Sequence, residues 1–217
     1  MPGSLEERFY VNTKSFFSFA PIVQWIKQLR PKEKLYVRIV VGAPRRTMLS
    51  KEEIQTVATI LSKLQPGLMP FDIFHQFARI AVLPIVEVVP LRLQGGKVEV
   101  LLTRREADDP IWPSKLHTTG TVLRATDEAG SFKTAFERIN AELGSTQLAP
   151  PVFVMNSFNG LGRGREYAAI HWAECLGEPK AGAFYPVDSL PDDLVEGQRP
   201  FIAAAAAAFT AARVADK

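Results

Sequence analysis

The strongest constraint on the fold is a strand–turn–strand pattern in the middle of the chain. Residues 85–93 and 98–103 are rich in β-branched and other apolar side chains, which is typical of strands. The residues between them, Gln94–Gly95–Gly96–Lys97, form a hairpin turn, because glycine readily adopts the positive φ angles that tight turns require. The pattern therefore predicts two antiparallel strands at the start of a sheet.

Further elements follow this hairpin. Apolar residues at helical spacing predict a helix over 131–143. Apolar runs predict strands at 152–158, at 167–175 and around Phe184. The last helix, 200–214, contains six consecutive alanines, and alanine has the highest helix propensity. Strands, one helix, more strands and a closing helix predict an α+β fold, a sandwich with a mixed sheet between helices.

The N-terminal part is expected to form an extension of its own. Ser50 and Glu53 make a capping box, in which each side chain bonds the other's free backbone N–H. The elements predicted there are a helix over 15–29, a strand over 35–41, a helix that begins after Ser50 and ends before Pro66–Gly67, and a helix over 71–81. We therefore divide the chain into a helical and α+β extension, 1–83, and a main domain, 84–217.

Composition excludes several classes of protein. The 217 residues are 47% hydrophobic and 23% charged, which is typical of a globular chain. The net charge is +3, but basic and acidic residues alternate along the chain, which does not favour nucleic-acid binding. Cys175 is the single cysteine, so no internal disulfide forms. No apolar run reaches membrane-spanning length, and we expect a cytoplasmic location with no membrane partner.

Several segments of the main domain carry motifs in a characteristic order. The strand Val98–Arg105 ends in basic residues, Leu116–Val122 reads LHTTGTV, and Ala135–Gly144 is a helical pattern that closes with a glycine. Arg163–Glu166 precedes an apolar strand, and Phe184–Val195 leads to the last helix. In this order the segments resemble the Nudix hydrolases, which cleave nucleoside diphosphates linked to another group. Leu116–Val122 stands where the family has W-x-L-P-G-G-x-V, and Ala135–Gly144 resembles its signature helix. The resemblance implies a Nudix-like α/β/α sandwich.

The signature helix departs from the family pattern at most of the positions that bind metal. The family holds Mg²⁺ or Mn²⁺ with glutamates one helical turn apart, and such hard cations prefer oxygen ligands. When the pattern is anchored on Gly144, its Arg–Glu pair becomes Glu137–Arg138 and its Glu–Glu pair becomes Ala141–Glu142. Only Glu142 keeps a ligand position, and Glu137 points away from it around the helix.

A reduced metal site nevertheless stays open. Glu142 and Glu128 are the candidate catalytic residues, and Asp127 joins them as a candidate metal ligand, because a loop can place carboxylates where a helix cannot. Against this, acidic residues before a helix commonly interact with its dipole. Arg138 lies four residues before Glu142, so it can also pair with that carboxylate and repel a metal.

Ligand binding is expected from arginines and one tryptophan, since guanidinium groups bind phosphate oxygens and indole stacks on a ligand ring. The candidates are Arg104, Arg105, Trp112, Arg124 and Arg138. Loop arginines are also commonly solvated, and Trp112 can equally pack in the core. His117 stands where the family has proline, and it is either a replacement base or a residue with a hydrogen-bonding role.

Three functions remain in competition, and the weakest is a diphosphate isomerase of the same fold, which needs a placed cysteine and further acids and has little support from Cys175 alone. The other two are as follows. The first is a Nudix-related pyrophosphohydrolase of nucleoside diphosphate derivatives, weakened or inactive because its metal-binding helix is degenerate; it would use Mg²⁺ or Mn²⁺ if active. The second is a non-catalytic domain, without a cofactor, that binds a small phosphorylated ligand or a protein partner. The N-terminal extension offers a surface through which copies of the chain could assemble into a homo-oligomer.

Overall fold

The computed structural model of the chain describes residues 49–67 and 69–215, and the predicted helix 15–29 and strand 35–41 lie outside them. The helices are α1 Lys51–Leu61, α2 Phe71–Ile80, α3 Lys133–Glu142 and α4 Arg199–Ala215. The strands are β1 Val82–Gln94, β2 Lys97–Arg104, β3 Leu116–His117, β4 Thr119–Val122, β5 Val152–Leu161, β6 Gly164–Glu174 and β7 Ala183–Pro186. Gln55–Lys217 form one compact unit, and the predicted division at residue 83 stays a prediction.

The long strand β1 organises the sheet. On one side it runs parallel to β6 over ten residue pairs, from Val82 to Leu91. On the other side its first half pairs antiparallel with β4 and its second half pairs antiparallel with β2. Pro90 lies between these two pairings. Proline has no N–H donor, so at this position no hydrogen bond to β4 or β2 is lost. The strand order among the described residues is β3-β2-β1-β6-β5, with β4 also on β1 and β7 on β2.

Helices cover both faces of this mixed sheet. Alternate side chains of β1 point to opposite faces. Ile85, Val89 and Leu91 pack towards α4, whose Ile202 and Phe209 are buried against them. The opposite face of the sheet packs against α3, and the buried residues there are Val86, Val88, Leu101, Ala135, Ile139 and Leu143. The predicted α+β sandwich with a mixed sheet is therefore confirmed.

Most of the predicted local elements are confirmed, with small differences at their ends. The hairpin turn has positive φ at Gly95 and Gly96, and the capping box forms, with Ser50 N donating to Glu53 Oε2 at 2.7 Å. The short strands β3 and β4 were not predicted, because two- and four-residue strands carry too little periodicity to be recognised. In the described ranges, no helix is long and apolar enough to cross a membrane.

Candidate functional site

A polar cavity of about 40 Å³ lies on the α4-facing side of the sheet. It forms where β1, β6, the β3–β4 junction and the start of α4 meet. Its floor consists of Glu87 from β1, Glu166 from β6, Thr118 and Gln198. Its mouth is formed by Arg105 and Trp112 of the β2–β3 loop, Arg163 of the β5–β6 turn and His117. Carboxyl, amide and guanidinium groups thus converge on one small space.

Glu87 is a carboxyl group placed in an apolar layer. It follows Leu83 and Ile85 and precedes Val89 on the inward-facing side of β1, and it is 6% exposed. Its Oε1 accepts hydrogen bonds from the Thr118 hydroxyl and, at 2.9 Å, from Gln198 Nε2. Burial raises the pKa of Glu87 to about 8, although the bond from Thr118 acts in the opposite direction. The carboxyl is therefore mainly neutral at pH 7.

Gln198 and Gly120 hold this carboxyl in place. Gln198 donates to Glu87 through its Nε2, and its Oε1 accepts from the backbone N–H of Thr118 at 3.0 Å. The amide thereby ties the beginning of α4 to the β3–β4 junction. Gly120 pairs directly with Glu87 across the sheet, and a Cβ atom added there would lie 2.0 Å from Glu87 Oε2. Only glycine leaves room for the carboxyl in this position.

The mouth of the cavity combines two guanidinium groups with one indole. The guanidinium carbons of Arg105 and Arg163 lie 5.4 Å and 5.5 Å from the centre of the Trp112 ring, a distance typical of cation–π contacts. Arg105 Nε also bonds Asp109 Oδ2 at 2.8 Å, and Arg163 Nε bonds Glu166 Oε1. The arginines are thus held in position before any ligand arrives.

Asp109 orders the loop that carries Trp112. Its Oδ1 accepts the backbone N–H groups of Trp112 at 2.7 Å and of Ile111 at 3.0 Å. Burial alone would raise the pKa of Asp109, but the bonds from Arg105 and from these two N–H groups lower it to about 2. Asp109 is therefore a stable anion that fixes both the arginine and the indole.

His117 lies beside Glu142 at the edge of the cavity. Its Nε2 is 3.1 Å from Thr103 Oγ1 and 3.5 Å from Glu142 Oε1. Burial and the positive charge of Arg105 lower the pKa of His117 to about 4, so the ring is neutral at pH 7. Partial burial raises the pKa of Glu142, an effect that Arg105 opposes. The contact between His117 and Glu142 is thus a polar contact and not an ion pair at neutral pH.

The three predicted metal ligands do not come together. Asp127 bonds the Arg138 guanidinium, with Nη2 to Oδ2 at 2.9 Å, and accepts from the Arg124 backbone N–H at 2.8 Å. Glu128 is exposed, and Glu142 lies against His117. Within the described ranges, no group of three His, Cys, Asp or Glu side chains could hold a metal ion. This arrangement does not fit Mg²⁺ or Mn²⁺, and the metal-site assignment stays a prediction that the geometry does not favour.

The predicted ligand-binding residues divide between three places. Arg105 and Trp112 reach the polar cavity. Arg104 points elsewhere and pairs with Asp193 at 2.7 Å. Arg124 lies with Asp127 in the loop before α3, and Arg138 reaches Asp127 from within α3. Arg138 therefore pairs with Asp127 and not with Glu142, the partner that the four-residue spacing suggested.

The sequence interpretation missed three residues of the cavity: Glu87, Glu166 and Gln198. A signal for Glu87 was present, because a glutamate interrupts the apolar side of an otherwise regular strand pattern. Gln198 and Glu166 gave no such signal. Glu166 had been noted only as part of the family's hairpin, and Gln198 lies 111 residues from Glu87 in sequence.

The pair of Arg138 and Asp127 makes a testable contribution to stability. We expect Arg138→Met to lower the free energy of unfolding by roughly 1–3 kcal/mol, because the carboxylate loses a charged hydrogen-bond donor. The bond from Arg138 lowers the pKa of Asp127 from 3.8 to about 2. The stabilisation is therefore present above pH 3.8 and disappears as the pH falls towards 2.

Urea denaturation at several pH values measures this effect. Lys133→Met, at an exposed position near the start of the same helix, is the matched control and should change stability little. Equal stability losses in the two variants at neutral pH would show that the pair contributes nothing.

Comparison with known proteins finds similarity in structure alone. No family model and no curated protein matches the chain. A mutT/nudix family protein from Listeria innocua is similar in structure, with 17% sequence identity and a TM-score of 0.47; the alignment covers 61% of this chain and 96% of that protein. The NUDIX domain of Shewanella oneidensis NrtR complexed with ADP ribose is also similar, with 17% sequence identity and a TM-score of 0.48. That alignment covers 70% of this chain and 97% of the Shewanella domain.

A third solved structure is a MutT NUDIX hydrolase from Burkholderia pseudomallei. It has 18% identity, covers 56% of this chain and 97% of its own, and has a TM-score of 0.42. All three structures carry the name of the family that the segments of the sequence resemble.

Proposed function

We propose that the chain is a Nudix-like domain that binds a phosphorylated ligand without a metal and hydrolyses it weakly or not at all. The observation that carries the proposal is the bond between Arg138 and Asp127. The sequence resemblance puts a metal-binding carboxylate at position 138, and the side chain there is a cation already bonded to the nearest acidic loop residue. The positive charge of this guanidinium would repel a divalent cation, and the cation would have one carboxylate ligand fewer than in the family pattern.

The mouth of the cavity supplies the chemistry for phosphate binding. Arg105 and Arg163 each use part of a guanidinium for an internal carboxylate, and each retains further N–H donors for phosphate oxygens. Trp112 offers an aromatic ring between them, on which a planar group can stack. A phosphate next to an aromatic or base-like group matches this arrangement.

The titratable groups around the cavity support orientation of the ligand and not attack on it. His117 is neutral and weakly basic here because its pKa is lowered to about 4, so it is poorly suited to remove a proton from water at pH 7. Glu87 is mainly protonated, because burial raises its pKa to about 8. The remaining polar groups, Glu166 and Gln198, can bond hydroxyl or amino groups of a ligand.

Calorimetric titration of ADP-ribose tests the proposal, since this compound is the one held by the Shewanella domain. We expect binding in EDTA and equal affinity with added Mg²⁺. Arg105→Ala is expected to weaken binding by about tenfold or more, because a charged hydrogen bond to phosphate contributes roughly 1.5–3 kcal/mol.

Arg213→Ala is the matched control. Arg213 also pairs with a carboxylate, Glu174, and also lies over an aromatic ring, that of Phe209, but it does not line the cavity. Its removal should leave the affinity unchanged. Mg²⁺-dependent cleavage of ADP-ribose, abolished by Glu142→Gln, would instead establish a hydrolase and refute the proposal.

A further inference from the structure

A second cleft lies between the end of α2 and the β5–β6 turn, next to the polar cavity. Its volume is about 490 Å³, which is within the range of roughly 300–1,000 Å³ typical of small-molecule sites. The guanidinium groups of Arg79, Arg163 and Arg165 line it, and His75 adds an imidazole. Among the described residues that line it, none is acidic. We call this space the basic cleft.

Close packing of two backbone segments brings these cations together. Gly164, the first residue of β6, lies so near the last turn of α2 that an added Cβ atom would overlap the carbonyl oxygen of Ala78. Its φ of +145° is also one that residues with a side chain rarely adopt. The glycine therefore lets the turn approach the helix. The neighbours of Gly164 in sequence, Arg163 and Arg165, are thereby placed beside Arg79.

The positive charge of the basic cleft is only partly compensated. Arg163 Nε donates to Glu166 Oε1. Arg79 Nε donates at 3.0 Å to Gln76 Oε1, which is a neutral acceptor. Arg165 forms no hydrogen bond or ion pair with any residue that the structure describes. The C-terminus of α2 offsets about half a charge. More than one positive charge therefore has no counter-charge among these residues, and a bound anion would supply it.

We propose that the basic cleft is a second ligand site, which binds a small phosphate anion separately from the polar cavity. Guanidinium groups bond phosphate oxygens in pairs. Arg79 and Arg165 are exposed, and both have N–H groups that no described residue engages. They come from different elements, so they can approach one anion from two directions. Inorganic pyrophosphate, which carries several negative charges, is a suitable probe.

Other anions fit the basic cleft less well. A phosphate group presents three oxygens and roughly two charges, whereas the carboxylate of an acidic peptide presents two oxygens and one charge. Three convergent guanidinium groups match the phosphate better. Binding to a single nucleic-acid strand also uses aromatic rings on which the bases stack. Across the described ranges, no phenylalanine, tyrosine or tryptophan lines the cleft.

Calorimetric titration of inorganic pyrophosphate into the full chain, in EDTA, tests the proposal. Arg105→Ala serves as the background, because it removes a cation of the polar cavity and none of the basic cleft. We expect this variant to bind pyrophosphate. The additional change Arg165→Ala should weaken binding by about tenfold or more, because charged hydrogen bonds to the anion are lost.

Lys97→Ala, in the same background, is the matched control. It removes the same charge at an exposed position of the β1–β2 turn, at the opposite end of β1 from the cleft. It should leave the affinity for pyrophosphate unchanged. Circular dichroism confirms that each variant is folded. Absence of binding, as expected if an acidic segment of the chain fills the cleft, overturns the proposal, and so do equal losses in the two variants.

Amide NMR spectra locate the bound anion. Pyrophosphate should shift the N–H signals of Arg79 and Gly164, which line the basic cleft. It should not shift that of Gly120, which lines the polar cavity. Shifts confined to Gly120 and its neighbours would place the anion in the polar cavity and overturn the proposal.

The same spectra separate this inference from the proposed function. If ADP-ribose shifts the signal of Gly120 while pyrophosphate leaves that of Gly164 unchanged, the basic cleft alone is refuted. If pyrophosphate shifts Gly164 while ADP-ribose shifts neither Gly120 nor Trp112, the proposed function fails and the basic cleft stands.

Discussion

The contribution of Glu87 to the free energy of unfolding is expected to fall by roughly 1.5–2 kcal/mol between pH 6.5 and pH 8, because its carboxyl holds a proton more tightly in the folded protein than in the unfolded chain. Burial raises the pKa of Glu87 from 4.5 to about 8. A carboxyl with a raised pKa contributes its full stability below the unfolded value and loses it as the pH rises through the folded value. The predicted slope is therefore negative over this interval.

Two histidines act in the opposite direction to Glu87. Burial lowers the pKa of His117 from 6.5 to about 4 and also lowers the pKa of His171, so both give stability a positive slope that fades above pH 6.5. Comparison with a variant that lacks the Glu87 carboxyl, at closely spaced pH values above 6.5, therefore isolates the effect of this group.

Glu87→Gln is the control for this prediction. Glutamine has nearly the same shape and keeps an oxygen that can accept from Thr118 and Gln198. The variant should fold, and its stability should no longer fall from pH 6.5 to 8; it should rise slightly, because of the histidines. A wild-type slope that persists in Glu87→Gln would show that another group titrates there.

Gly120→Ala is expected to destabilise the protein by roughly 2–4 kcal/mol, through overpacking and the loss of buried hydrogen bonds. The added Cβ would lie 2.0 Å from Glu87 Oε2 and 3.3 Å from the Val86 carbonyl oxygen. The carboxyl would have to move away from Thr118 and Gln198, which would break the hydrogen bonds that both residues donate to it. Thermal and urea denaturation both measure the loss.

Two comparisons identify the cause of that loss. Gly160→Ala changes another strand glycine, with nothing within 4 Å of the new Cβ, and should have a small effect. In a Glu87→Ala background, Gly120→Ala should cost much less than in the wild type, because the clashing atoms are gone. Additive losses in the double variant would show that the carboxyl is not the obstacle.

The periodic elements could be predicted because their signals are local. Two apolar runs and a glycine turn are enough for the β1–β2 hairpin, and Ser50 with Glu53 is enough for the start of α1. The apolar face of α3 was also foreseen, and Ala135, Ile139 and Leu143 are buried. Such patterns need no knowledge of the rest of the chain.

The cavity could not be predicted in the same way, since its contacts join distant segments. Thr118 lies 31 residues from Glu87 and Gln198 lies 111 residues away, and no sequence spacing relates them. Arg138 shows a subtler limit. The spacing of Arg138 from Glu142 is compatible with an ion pair along the helix. In the structure the guanidinium instead bonds Asp127, which lies 11 residues earlier in the loop before α3. Alternative partners of a long side chain are decided by tertiary structure.

The parallel pairing of β1 with β6 has a consequence for how the chain can be divided. The two central strands of the sheet lie far apart in sequence, since Val82 pairs with Arg165 and Leu91 with Glu174. The loop between them must close before the centre of the sheet exists, and such non-local pairing is slow. A chain that stops before β6 can form the β1–β2 hairpin, but β1 then lacks its parallel partner in the middle of the sheet. No cut between the two strands yields a fragment with a complete core.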